Sequence, residues 1–458
     1  GAVFRVGGRA GSILFPVWRY DRLFRLRRIH DGIPVLYARV PDGAAEPDRH
    51  KHERAVVTDV PHRWSLFGLY NFPLCLSGRT SQERRTDMFY RESWVEVDLD
   101  QIKENIRWLR RQTDRQFIAV IKANGYGVGD GPVARAALEA GAAMLAVSSL
   151  DEALSLRYQG IKAPVLILGV VDPSQAELLL RYDLAVPAVS VDWVKKLIQI
   201  PVKGLRVHLK VDTGMHRIGT GNLDELRAML ALLQENGALV EGIFTHYACS
   251  DNPDDGMTAD QAAQFEYIVR ALDTPFRWVH SSNSDAAVHY PKAPGNAVRC
   301  GLAMFGITSY ATPLKPCVSL YSRLVYVKAL PAGQSVGYGA TYMTQKEEWI
   351  GTLPIGYADG WIRKHQGRQC WIEGETGEFV GRICMDQAMI RLPHAFPVGT
   401  KVELFGPHLS LEQVAQELGT IPYEVLTLLS DRLAKVYLED GRIRETANPR
   451  LDRLMLEK

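Results

Sequence analysis

Cysteine is scarce and scattered: Cys75, Cys249, Cys300, Cys317, Cys370 and Cys384 are the only six, and no CxxC pair occurs among them. A disulfide scaffold is excluded as the basis of folding, and a reducing, cytoplasmic compartment is expected. Long hydrophobic runs are also missing. The most apolar stretches, such as AVIKANGYGVG and PVLILGVV, are broken by Lys, Gly or Asp well before the roughly 20 residues a membrane helix needs, so no membrane partner is expected. Apart from His50-Lys51-His52 in the Arg-rich first 87 residues, the histidines show no HxxxH or HxH spacing, which gives no basis for expecting a metal in the rest of the chain. A Walker pattern, a strand-linked GxGxxG and any repeat of about 20 to 50 residues are likewise lacking, which disfavours nucleotide-binding and solenoid readings. The amino end carries no apolar stretch followed by a small-residue cleavage site, so a secretory signal is not visible there.

What is present is an ordinary globular composition on a long chain. Its 458 residues, 46% apolar and 23% charged, allow two or three domains with sizeable cores. The formal net charge of +2 conceals a split. Residues 1–87 hold fourteen Arg and one Lys against nine acids, while the remainder is mildly acidic. An acidic body carries no basic footprint for nucleic acid.

From Trp94 to Cys300, short β-branched or apolar runs alternate with longer amphipathic ones, the signature of parallel βα units. Eight candidate strands are WVEVD (94–98), FIAVI (117–121), MLAVS (144–148), VLIL (165–168), LAV (184–186), VHLKV (207–211), VEGIF (240–244) and WVH (278–280). The run DLDQIKENIRWLRRQ reads as a helix started by Asp100, with Ile102, Ile106 and Leu109 as its apolar stripe. About 220 residues in eight such units fit a (β/α)₈ TIM-type barrel, with a doubly wound open sheet as the alternative. Beyond residue 319 the texture changes to SRLVYVKAL, WIGTLPIGY, CWIEGE and KVELFG with turn signals between them. This reads as a mostly antiparallel β-domain with a short helix in LSLEQVAQEL. The expected division is therefore 1–87, 88–318 and 319–458.

Active sites of barrels gather at the carboxyl ends of strands. Five such ends carry polar groups: Lys122 after FIAVI, Lys210, Asp212 and Arg217 in HLKVDTGMHRIG, His246 in FTHYA, Asn283 and Ser284 in HSSNSDA, and Arg299 in VRCG. Each has a bland reading. Ser284 suits a helix cap, Arg299 a surface charge and His246 a satisfied core histidine. Together they suit a phosphorylated carbonyl cofactor, because a buried lysine can form a Schiff base while hydroxyl and backbone N–H groups hold a phosphate. Pyridoxal 5'-phosphate has that chemistry.

The motifs AVIKANGYGVG, HLKVDTGMHRIG, THYACSD, HSSNSDA, VRCGLAMFG, GYGATY, IGYADGW and VGRICMDQ occur in the order seen in the alanine racemases, and the chain resembles that family from Met88 to about Glu445. The resemblance implies pyridoxal 5'-phosphate, interconversion of L- and D-alanine for cell-wall peptidoglycan, and a homodimer whose active site is shared between subunits. It implies Lys122 as Schiff-base lysine and one catalytic base, and Tyr338 as the opposite base from the other subunit. Racemisation needs a proton acceptor on one face of Cα and a donor on the other, and a phenol of ordinary pKa about 10 must be tuned down to serve. Further implied roles are Arg217 and the Met385 N–H at the substrate, His246 beside Tyr338, and Arg299 facing the pyridine nitrogen. Tyr126, Ser284 and the Gly301 N–H would hold the phosphate. Lys210 is implied to be carbamylated, turning it into an anion that positions Arg217. Asn283 and Asp386 are supporting residues, and Tyr357 and Arg363 stand near the substrate entrance.

Three positions depart from the family pattern. LTLLSDRLAK places Asp431 where a phosphate-contacting Tyr is usual, and a smaller polar group at the cavity wall would admit serine as a second substrate. Gly337 and His216 stand where Ser and Gly are expected. The rival readings are a serine or broad-specificity racemase, a decarboxylase of the same architecture, and a non-catalytic barrel that binds pyridoxal phosphate. GYGATY and ICMDQ argue against the last two. Residues 1–87 are expected to be translated upstream sequence, with Met88 as the natural start of the enzyme.

Overall fold

The computed structural model describes residues 90–455 apart from 253 and 255. Residues 1–87 and the start at Met88 lie outside the described residues. Eight parallel strands close into a barrel: β2 (Gln116–Val120), β3 (Met144–Val147), β4 (Val165–Ile167), β5 (Leu184–Ala188), β6 (Arg206–Lys210), β7 (Leu239–Phe244), β8 (Trp278–His280) and β9 (Ala297–Cys300). Strands β3, β4 and β5 are buried at every residue, as expected for strands covered by helices outside and packed side chains inside. Leu145, Leu166, Val186, Leu209 and Ile243 are completely buried.

The barrel reading holds with one exchange of strands. WVEVD does not enter the barrel. It forms β1 (Ser93–Asp98), antiparallel to β10 (Val318–Arg323) and parallel to β19 (Ala434–Glu439). The eighth barrel strand is instead AVRC of β9, which closes onto β2. A strand buried on both faces shows the same apolar run in either sheet, so hydrophobicity alone does not tell the two apart. The helix Leu99–Thr113 follows β1, with Ile102, Ile106 and Leu109 fully buried. Its cap is Asp98, whose carboxylate accepts from the Gln101 N–H. Asp100 sits inside the first turn.

The remaining strands are β11 (Tyr326–Leu330), β12 (Ser335–Val336), β13 (Tyr342–Met343), β14 (Glu348–Leu353), β15 (Gln369–Ile372), β16 (Glu375–Phe379), β17 (Ala388–Leu392), β18 (Lys401–Phe405) and β20 (Arg442–Ala447). They form a ten-stranded sheet in the order β11-β14-β17-β16-β15-β18-β10-β1-β19-β20, with β12 and β13 as a separate pair. All its pairings are antiparallel except β1 with β19. LSLEQVAQEL yields the helix Leu411–Leu418, capped by Ser410. Among the described residues, no helix is long and apolar enough to cross a membrane.

Candidate active site

A cavity of about 350 Å³ opens where the barrel strands end, and Lys122, Tyr126, Lys210, Arg217, His246, Asn283, Ser284, Arg299 and Gly301 all line it. Lys122 begins a turn wound the wrong way for L-residues. Ala123, Asn124, Gly125 and Tyr126 have φ of +54°, +54°, +61° and +58°. Such backbone costs about 1–2 kcal/mol per non-glycine residue, so the surroundings must hold it. Part of the hold is Glu152, whose carboxylate accepts from the N–H groups of Ala123 (2.7 Å) and Ser148 (2.6 Å). Another part is the Tyr437 hydroxyl, which donates to the Val128 carbonyl at 2.7 Å just beyond the turn.

The turn swings the Tyr126 ring to 5% exposure, edge-on to Phe305 with centroids 5.7 Å apart. Burial pushes the phenol far above its usual pKa, so it stays protonated and able to donate. A Cβ on Gly301 would collide with that hydroxyl, which is why only glycine fits there. Ser284 meets the same point. It is the first residue of the helix Ser284–His289, but the cap is Asn283, which accepts from the Ala286 N–H at 3.1 Å. The Ser284 Oγ is thereby free to accept from the N–H groups of Gly301 (3.0 Å) and Ala303 (3.4 Å). Phenol, hydroxyl and backbone amide converge at one end of the cavity, a donor set that suits a phosphate.

Arg299 is not a surface charge. It is 4% exposed and spends both terminal nitrogens on the protein. Nη1 donates to the carbonyl and Nδ1 of His280, both at 2.8 Å, and Nη2 to the carbonyls of Thr245 (2.7 Å) and Ser281 (2.9 Å). Among the described residues no partner takes the Nε–H, the donor left for a cavity ligand. Burial lowers the Arg299 pKa to about 10, which still leaves it cationic at neutral pH. Burial and the Arg299 charge also hold His246 neutral, well below the usual histidine range.

Three further cations crowd the same space. Burial lowers the Lys122 pKa, and the Arg217 charge adds to this against the pull of Glu152. Lys210 is 3% exposed, lies 5.4 Å from the Phe244 ring centroid and donates to the Val211 carbonyl at 2.5 Å. Burial, then Arg299 and Arg217, bring its pKa to about 7, against the pull of Asp212. Four basic side chains with so little counter-charge favour an anionic, carbonyl-bearing ligand, and the donor set fits pyridoxal phosphate in both size and polarity.

Of the β-domain residues expected at the site, the structure brings none to this cavity. Tyr338 is 71% exposed and lines a separate depression with Val336, Thr352 and Met389. Met385 and Tyr357 are also exposed, on loops tied by the Tyr357 N–H to the Cys384 carbonyl (3.0 Å) and the Ala358 N–H to the Met385 carbonyl (3.1 Å). Arg363 is exposed. The Asp386 carboxylate pairs with Arg432 at 2.5 Å. Asp431, expected at the cavity wall, is exposed and absent from its lining.

Tyr423 takes the place on the wall that Asp431 was expected to hold, 6.2 Å from Tyr126 between ring centroids. Neither Tyr423 nor Glu152 emerged from the sequence. The Ser149-Leu-Asp-Glu152 spacing of a capping box was the available signal for Glu152. His216 does stand where glycine is at ease, with φ +52°, held by its N–H to Asp212 at 3.0 Å. Gly337 has φ +73°, a backbone that serine would strain.

A family model described as the alanine racemase N-terminal domain matches residues 97–309, and one for the C-terminal domain matches 317–437. The chain is 42% identical over 381 residues to alanine racemase 1 of Bacillus subtilis, covering 80% of this chain and 98% of that protein. It is 44% identical over 377 residues to the alanine racemase of Geobacillus stearothermophilus, covering 79% and 97%. The crystal structure of alanine racemase from Bacillus anthracis with bound L-Ala-P superposes with a TM-score of 0.77 at 37% identity, covering 80% of this chain and all of that one. A histidine racemase from Leuconostoc mesenteroides also superposes, with a TM-score of 0.73 at 27% identity, covering 77% and 100%.

Proposed function

The chain belongs to the alanine racemase family and is an isomerase of alanine; from that premise we propose a two-base mechanism that uses pyridoxal 5'-phosphate, Lys122 and the partner subunit's Tyr338. When bound, the cofactor supplies an electron-withdrawing ring system that acidifies the α-hydrogen of alanine. Lys122 is its attachment point, and the Lys122 amine, with its lowered pKa, takes or returns a proton at Nζ on one face of Cα. The Tyr338 hydroxyl serves the opposite face. Arg217 binds the substrate carboxylate, helped by the Met385 N–H. Tyr126, Ser284 and Gly301 hold the phosphate, and Arg299 holds the ring nitrogen as a donor that keeps its own proton, a weaker electron sink than an acid partner would allow. Lys210, with a pKa of about 7, is neutral often enough for its amine to add to carbon dioxide and release an N–H proton to solvent, leaving a carbamate anion that orients Arg217.

The observation that carries this reading is the convergence of Lys122, the Tyr126–Ser284–Gly301 donor set and buried Arg299 on one cavity. Exposure of Tyr338 in the single chain supports a homodimer with a shared site. The bacterial alanine racemases it resembles support a cytoplasmic role in supplying D-alanine for peptidoglycan. A broader specificity, serine included, is a second reading, favoured by the histidine racemase that shares the fold.

The test is to load the full chain with pyridoxal phosphate and follow both racemisation and α-hydrogen exchange of L- and D-alanine in D₂O. Both enantiomers are expected to exchange and interconvert. Bound cofactor without exchange would leave only a binding protein and overturn the mechanism.

A further inference from the structure

Away from the barrel mouth, one buried carboxylate ties together the two exposed loops of the β-domain. Asp359 closes the short helical turn Tyr357–Asp359, and its side chain is completely buried. A carboxylate in such a place stays ionised only if it is paired and hydrogen-bonded, so its partners decide what it does. The two Nη atoms of Arg91 donate to its two oxygens, Nη2 to Oδ2 at 2.7 Å, and the Gly356 N–H donates to Oδ2 at 2.9 Å. Arg432 Nε stands 3.4 Å from Oδ1. Both arginines also grip the neighbouring turn. Arg91 Nη2 donates to the Asp386 carbonyl at 3.2 Å, and Arg432 Nη2 to the Asp386 carboxylate at 2.5 Å.

The sheet explains why two arginines meet here. β1 and β19 run parallel, with Trp94 beside Ala434, so the residues that lead into these strands lie at the same end of the sheet. Arg91 leads into β1 and Arg432 into β19. The Ser430 N–H donates to the Asp359 carbonyl at 3.1 Å, and buried Lys435 donates to the Ser430 carbonyl at 2.8 Å, which fixes the segment carrying Arg432. The turn they grip, Cys384 to Gln387, is closed by the Cys384 N–H donating to the Gln387 carbonyl at 2.9 Å. It is pressed against Gly356, where a Cβ would collide with the Cys384 and Met385 carbonyls. The carbonyls of Cys384, Met385 and Asp386 are thus all taken, by the Tyr357 N–H, the Ala358 N–H and Arg91. Among the described residues no partner takes the Met385 N–H.

We propose that Asp359 is a positioning residue: through Arg91 and Arg432 it clamps the Tyr357 loop to the Cys384–Gln387 turn and so holds the unspent Met385 N–H in place for the carboxylate of the substrate. The step from clamp to substrate rests on the reading that the Met385 N–H binds alanine, whereas the clamp itself does not.

In Asp359→Asn one acceptor oxygen becomes an NH₂ group. Two guanidinium groups and the Gly356 N–H, all donors, then face a single oxygen, and the arginines lose the charge they share. The experiment compares the full chain and this variant, each loaded with pyridoxal phosphate. Amide hydrogen exchange at Tyr357 and Ala358 should quicken by about tenfold or more as the loops part. The KM for alanine, and the Ki of propionate as a carboxylate without the amine, should both rise on the order of tenfold. The kcat should stay within about threefold of wild type, as for a group that binds substrate and transition state alike. Affinity for pyridoxal phosphate should not change, because Asp359, Arg91 and Arg432 do not line its cavity, and general damage to the fold would lower it. Arg91→Gln, at a side chain 28% exposed, should shift KM and Ki in the same direction and decides the matter if the Asn variant does not fold. Unchanged exchange at Tyr357 and Ala358, or a loss carried by kcat or cofactor affinity with KM and Ki unmoved, overturns the proposal. If exchange quickens while wild type neither binds pyridoxal phosphate nor racemises alanine, the functional reading fails and the clamp stands.

Discussion

At the barrel mouth Arg299 has five protein acceptors on its two terminal nitrogens, His246 Nδ1 at 3.3 Å included, and Tyr126 is packed to 5% exposure, whereas across the β-domain Tyr338 stands 71% exposed and Met385 53%. The first region is preorganised within one chain. The second presents its chemistry-bearing groups outward, bordered by backbone in left-handed conformations at Gly337, Gly339 and Ala340. A phenol has to be tuned by cations to serve as a base; Lys328 lines the depression of Tyr338 and the Arg382 guanidinium lies beside Gly339, but the cluster of Lys122, Lys210, Arg217 and Arg299 lines the other region. The contrast is that the barrel mouth gathers its binding groups within one chain, whereas the mechanism proposed above calls for a second surface brought over it.

The sharpest way to break that contrast is to disable each region in a different chain. Lys122→Ala and Tyr338→Phe should each lower alanine racemisation by roughly 10²–10⁴-fold. Mixed in equal amounts and refolded together, they should recover about one quarter of wild-type activity, because half the dimers are mixed and each mixed dimer holds one intact site. No recovery would mean that both groups act within one chain.

An intermediate effect concerns the cationic crowding itself. The folded Lys210 pKa of about 7 lies below the ordinary lysine value of 10.5, so the unfolded chain binds the extra proton between those values. Stability should therefore rise with pH from about 7 toward 10.5, and the penalty is fully present below 7. Lys210→Met should remove this rise, worth up to about a few kcal/mol, in melting curves taken in carbonate-free buffer. An unchanged pH slope would show that the site is less desolvated than its burial implies.

The smallest effect is expected at Asp431. Since it does not line the cavity, Asp431→Tyr should leave the ratio of kcat/KM for alanine and serine unchanged within experimental error. A clear shift toward alanine would restore Asp431 as a determinant of specificity.

Much of the barrel half was legible because each of Lys122, Arg217, His246, Ser284 and Arg299 falls just beyond or within a short apolar run, where the fold directs chemistry. Details one residue wide were not. Asn283 rather than Ser284 caps its helix, and Asp98 rather than Asp100 caps Leu99–Thr113, because two neighbouring capping residues satisfy the same pattern until one side chain is needed elsewhere. The bulge in β7, where Val207 pairs with Val240 and His208 with Gly242 so that Glu241 is the extra residue, was invisible for a different reason. A bulge changes which face a side chain takes without altering the composition of the strand, so β7 reads as an ordinary buried run. The separation of Tyr338 from the cavity within one chain was not legible in the order of the motifs, which carries no distances; only the resemblance implied a second subunit there.

β1 sets an order of events in time. Trp94 pairs with Tyr321 on β10 and with Ala434 on β19, so its partners leave the ribosome only after the whole barrel has been made. The barrel closes through β9 onto β2 without any of them. During synthesis β1 therefore waits with both edges unpaired, the kind of exposure that invites mispairing with other chains. A growing chain can close the mouth that holds Lys122 before it can close the sheet that presents Tyr338, so the two halves of the molecule are completed in that order.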